Sequence, residues 1–120
     1  MNYMAEDTLK PHMIRKCNWG KAHECWADAY QLWIQMKFKG TIVSGFRKDF
    51  DLKSPHYWME LGNYVYTSGL IETTEGNMEW VIFSYKKDIY YKHNNIRINK
   101  VETEEESLLS IVNLRNRGYL

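Results

Sequence analysis

The sequence predicts an α+β domain: an N-terminal helix, an antiparallel β-meander of four to five strands and a C-terminal helix, with the helices packed on one sheet face. Three observations predict it. Apolar residues recur at helical spacing from Ala22 to Met36. Residues 78–100 concentrate aromatic, β-branched and basic side chains of the kind that suit a pleated, half-buried surface. Thr103, followed three residues on by Glu106, opens the last stretch with a capping-box signature. The 120 residues read as one domain, 1–120, without linker, repeat or low-complexity tract.

Residues 1–19 are ambiguous, because a helical turn over 8–14 would be interrupted by Pro11. A helix follows over 21–37, with Ala22, Cys25, Trp26, Ala29, Trp33 and Met36 on one side and Tyr30, Ile34 and Phe38 beside them. So apolar a helix belongs in a core, and Gly40 stands where a left-handed stop is expected. Residues 41–52 read as a strand in which Gly45 marks a bulge or a close backbone approach. Ser54–Pro55 suggests a short helix over 55–61; alternatively 56–61 is a strand, since Tyr57, Met59 and Leu61 alternate. Residues 64–67 form a strand, and 70–74 and 78–85 form a hairpin through Glu75–Gly76–Asn77. Lys86–Lys87–Asp88 and Asn94–Asn95 are read as further turns, so that most of 70–101 is a meander. The final helix runs from its Thr103 cap to Gly118, with acidic residues at its start, Arg115 and Arg117 at its end, and Leu108, Leu109, Ile111, Val112 and Leu114 as the buried side. This arrangement leaves the other sheet face available.

Sixteen cationic and 15 anionic side chains give a net charge of +1, which argues against a strongly basic nucleic-acid binder and against an acidic mimic. The charge is uneven: one lysine faces five carboxylates over 51–85, whereas five cations face Asp88 alone over 86–100. Such patches pair with each other or with a partner. Two cysteines are too few for a disulfide framework. With no leader-like segment and no window resembling a membrane span, the expectation is a cytoplasmic protein with no membrane association.

His12, Cys17, His23 and Cys25 are zinc-ligand types within one window. Their spacing lacks a C-x-x-C knuckle, and His23 and Cys25 would point to opposite sides of a helix. Buried thiols and ordinary histidines account for them, so no metal and no cofactor are expected. His93–Asn94–Asn95 with Arg97 invites a nuclease reading, and Glu79, His93, Arg97 and Tyr91 could serve a metal-free ribonuclease. A hairpin turn with an exposed histidine explains the same residues, and no phosphate loop, nucleophile elbow or metalloprotease motif occurs. No catalytic residue is therefore assigned.

Nine Tyr and five Trp in a chain this size imply rings at the surface, where Trp and Tyr favour interfaces. The expected function is that of a small non-catalytic macromolecule-binding protein, a modulator or inhibitor gripping another protein through Trp26, Tyr30, Trp33, Tyr57 and Trp58. The competing explanation is that these rings form an aromatic core. The alternative function is nucleic-acid binding, or metal-free ribonuclease action, on the basic–aromatic sheet 85–100. Tyr85, Lys86, Lys87, Tyr90, Tyr91, Lys92, His93, Arg97 and Lys100 would combine stacking with phosphate contacts. A homodimer through a bare sheet face or an edge strand is a third reading.

Overall fold

The computed structural model describes Pro11 and residues 13–17, 25–48 and 51–120. The elements are β1 (Met13–Lys16), α1 (Cys25–Gln35), β2 (Thr41–Arg47), β3 (Asp51–Leu61), β4 (Tyr64–Glu72), β5 (Met78–Lys86), α2 (Lys87–Asn94), β6 (Ile96–Val101) and α3 (Glu104–Asn116). The strands form one antiparallel sheet in the order β1-β5-β4-β3-β2-β6. Strands β2, β5 and β6 fall where strands are expected, β4 joins the expected strands 64–67 and 70–74 into one, and β1, drawn from the ambiguous N-terminal stretch, adds an edge.

Two crossovers give the sheet its shape. Every neighbouring pair is antiparallel, so β5 and β6, four positions apart, run in the same direction. No hairpin can join two strands that run in the same direction. The link must cross four strand spacings, about 19 Å, and α2, about 12 Å long, covers most of that span. This corrects the expected meander: residues 87–94 are a helix. Its sequence suits one. The Asp88 side chain accepts the Ile89 N–H at 2.8 Å, and Lys92 and His93 lie at the negative end of the dipole. Asn95 takes the left-handed conformation (φ 50°) expected of it, but as the cap of α2 rather than in a hairpin turn. The connection containing α1 likewise links β1 to β2 across four spacings.

The sheet thus has two interiors. On one face, Tyr30, Leu32 and Trp33 of α1 and Ile111 and Leu114 of α3 pack on Ile42, Met59 and Ile82. On the other, Tyr90 of α2 joins Val43, Trp58, Val65, Val81, Phe83 and Tyr85. The two terminal helices share a face as expected, but the opposite face is not bare, because α2 folds back over it.

The helix reading of 55–61 is corrected to strand, in agreement with the Tyr57–Met59–Leu61 alternation. Pro55 is tolerated there because the register of β2 and β3 shifts between Gly45 and Arg47, and the ladder from β3 to β4 pairs only residues 59–61. The strand expected over 41–52 breaks at Lys48, where the chain turns. Gly45 fulfils its expectation: a Cβ there would lie 2.8 Å from both the Arg97 carbonyl oxygen and the Trp58 ring. Helix α1 stops before Gly40, with Lys37 (φ 57°) and Phe38 (φ 63°) already left-handed. The Phe38 N–H reaches the Trp33 carbonyl at 2.9 Å and its ring meets Trp33 edge-on at 5.1 Å, which offsets the strain.

Helix α3 has the predicted capping box, with Thr103 and Glu106 bonded reciprocally, and Gly118 follows in a left-handed conformation. Its buried side is narrower than expected: Ser107, Ile111 and Leu114 face inward, whereas Leu108, Leu109 and Val112 are exposed.

Candidate functional site

Of the five rings expected to grip a partner, the structure gathers three. Trp26 and Tyr30 come from α1 and Tyr57 from β3; with Ser110, Asn113, Leu114 and Arg117 of the α3 end they line a groove of about 210 Å³. Trp26 is half-buried and meets Tyr119 edge-on at 4.7 Å. The Arg117 guanidinium lies 5.9 Å from the Trp26 ring and 5.2 Å from the Tyr119 ring, within cation–π range of both. Tyr30 forms the floor, 6.4 Å from Tyr57. Its hydroxyl donates to Glu102 at 2.5 Å, and Glu102 also accepts from Ser107 at 2.7 Å, so one carboxylate ties α1 to the start of α3. Burial and that acceptor hold the Tyr30 phenol well above its ordinary pKa, fixing it as a neutral donor.

Trp33 and Trp58 do not belong to this groove. Their exposures are 1% and 0%, and they are core residues on opposite sides of the sheet. A contact surface built through them is corrected to the aromatic-core explanation. Trp33 donates to the Gly40 carbonyl at 3.2 Å and Trp58 to Glu60 at 2.9 Å, so neither indole N–H is left unsatisfied.

The basic–aromatic set divides in the same way. Tyr85 and Tyr90 are buried in the second core and unavailable for stacking on bases. Lys86, Lys87, Lys92, Arg97 and Lys100 are exposed, and His93 is half-buried. Arg97 lies over Phe46 at 5.4 Å, and Lys100 pairs with Glu106 at 2.7 Å. Lys87 pairs with Glu60 at 3.3 Å, and at that point the basic stretch 86–100 meets the acidic stretch 51–85 within the molecule. Lys86, Lys87 and Tyr91 come together with Asn63, Tyr64 and Asp88 around a cavity of about 670 Å³, beside the β3–β4 turn. Behind it, Glu60 accepts from the Tyr91 hydroxyl and the Trp58 indole. Burial first, and then this bond, raises the Tyr91 phenol far above its usual pKa.

The proposed ribonuclease set is not assembled. Glu79 lies opposite Ile71 at the hairpin end of β5, whereas α2, with Tyr91 and His93, leaves from the other end, about 23 Å along the strand. Of the suggested zinc window, His12 and His23 lie outside the described residues. Cys17 is half-buried against the first core. Among the described residues no group of three or more His, Cys, Asp or Glu is placed to hold a metal ion, and no helix is long and apolar enough to cross a membrane.

Sequence reasoning missed Arg117 and Tyr119 at the groove and Glu60 beside the cavity. A signal existed for Glu60. It alternates with Met59 and Leu61, so it shares the Trp58 face, where a carboxylate needs donors. Nothing local ties Arg117 to Trp26, because the contact exists only once α3 lies beside α1. In comparisons with known proteins, the chain matches no family model, no curated protein and no solved structure.

Proposed function

We propose that this chain acts by binding another protein, as a modulator or inhibitor without catalytic activity of its own, through the groove between α1 and α3. The observation that carries this is the meeting of Trp26, Tyr57 and Arg117 around one concavity. These residue types dominate interface energetics. The groove, at about 210 Å³, is smaller than the roughly 300–1,000 Å³ typical of small-molecule sites. It suits an apolar side chain projecting from a protein surface, with a carboxylate beside it for Arg117. A displayed peptide library panned against the chain should enrich apolar anchors flanked by Asp or Glu. Enrichment should disappear with Trp26→Ala and shift away from acidic residues with Arg117→Glu. Enrichment that ignores both substitutions, or none at all, overturns the proposal.

A second reading has one observation in its favour: Lys86, Lys87 and Tyr91 converge on the larger cavity. Single-stranded nucleic acid bound there would lose affinity as salt rises, and Lys86→Ala with Lys87→Ala would flatten that dependence by about 0.7 per lost phosphate contact. Binding that is indifferent to salt removes this reading.

A further inference from the structure

Helix α3 is apolar on two sides, and only one of them is spent on the core. Ser107, Ile111 and Leu114 face the sheet. Leu108, Leu109 and Val112 are 42%, 62% and 52% exposed. At 100° per residue, Glu105, Leu108, Val112 and Arg115 fall within an arc of roughly 80° on the outer side, with Leu109 next to it. Their spacing of three, four and three residues is that of a helix seam built to meet another helix. Exposed aliphatic residues concentrated in this way mark an interaction surface rather than scattered surface apolarity.

The charges at the two ends of the strip identify the occupant. Glu105 lies five residues before Ser110 and Arg115 five residues after it. Leu108 and Val112 are likewise equidistant from Ser110. A strip that is symmetric in shape and opposite in charge about its centre is complementary to itself when one copy is turned end for end. We propose that α3 pairs with α3 of a second copy of this chain, antiparallel across a two-fold axis that is level with Ser110 along the helix but passes through the strip on the opposite side from that residue. Leu108 of one copy then packs on Val112 of the other, and Glu105 lies level with Arg115 at both ends. A parallel pair would set Glu105 against Glu105 and Arg115 against Arg115, which charge repulsion disfavours. The two-fold form is the commonest symmetry of soluble oligomers. A helix of 13 residues is only about 20 Å long, so the interface is small and the dimer should be concentration-dependent. The groove used in the proposed function lies on another side of α3, lined by Ser110, Asn113 and Arg117, and stays open in this dimer.

Light scattering on the full chain, from about 1 μM to about 1 mM, tests this. The mass should double with concentration. Val112→Glu should hold the chain monomeric throughout, with an unchanged far-ultraviolet circular dichroism spectrum. Glu105→Arg and Arg115→Glu, both at exposed positions, should each weaken association about tenfold, since each acts at both ends of a two-fold interface. The double reversal should restore it to within about twofold of the parent chain. A wild-type chain that stays monomeric overturns the proposal and gives the strip to a different occupant, such as an amphipathic helix of another protein. A dimer that tolerates Val112→Glu, or reversals that fail to rescue each other, overturns it equally.

Discussion

Neighbouring residues of β3 serve two different interiors. Tyr57, Met59 and Leu61 point to the face closed by α1 and α3, where most of the buried side chains are aliphatic and Tyr30 and Trp33 are the buried rings. His56, Trp58 and Glu60 point to the face closed by α2, and each is held by a polar bond or a ring. His56 bonds Thr67 at 3.1 Å and stacks on Trp58 at 5.9 Å, and Trp58 and Tyr91 both donate to Glu60. The first face is covered by 11- and 13-residue helices, the second by eight residues. A short helix brings few aliphatic side chains. The second face therefore depends on large rings whose polar atoms need partners, and geometry matters more there than volume. Both concavities described above lie where helices end against the sheet, at the rims of these interiors.

Trp58 and Met59 offer the sharpest way to break this comparison, because they are adjacent, both fully buried, and on opposite faces. Trp58→Ala should destabilise by about 3–5 kcal/mol and Met59→Ala by about 2–5 kcal/mol in urea unfolding. The two should differ in what loosens. Trp58→Ala should release amide protection in α2, and Met59→Ala protection in α1. Identical protection maps would mean the two interiors are one cooperative unit.

Acid should separate the faces next. Burial first, and then the neighbouring Arg47 charge, lower the His56 pKa from 6.5 to about 4. The unfolded chain therefore binds a proton that the folded chain refuses between these values. Stability is full above pH 6.5 and falls as pH drops toward 4, by at most about 3 kcal/mol. His56→Gln should remove most of that slope. A slope unchanged by the substitution would place the acid sensitivity in other groups.

The helix caps give the smallest effect. Thr103→Ala removes the hydroxyl that accepts the Glu106 N–H, one half of the formed capping box, and should cost about 1 kcal/mol. Asn95→Gly should be neutral or slightly stabilising, because φ is 50° at that position, whereas Asn95→Ala should cost about 1 kcal/mol. Equal responses of Asn95→Gly and Asn95→Ala in thermal unfolding would mean the left-handed cap does not hold α2.

The sequence by itself determined the features set by neighbours along the chain. The α3 capping box, the β4–β5 hairpin through Gly76, the close approach at Gly45 and the left-handed Asn95 all follow from local sterics and hydrogen bonding. The alternation along β3 was equally legible, and it outweighed the helix-start signal of Ser54–Pro55. Tertiary structure decided which strands are neighbours, and with them the fate of residues 87–94. Read locally, Ile89, Tyr90 and Tyr91 suit a strand. They became a helix because β5 and β6 point the same way from opposite sides of the sheet, and only a crossover can join them. That crossover buried Tyr85 and Tyr90, left Tyr91 and Lys87 at the larger cavity, and closed the face that sequence alone left bare. The grouping of Trp26 with Arg117, 91 positions later in the chain, is likewise a product of helix packing, since no local periodicity encodes a contact between elements so far apart.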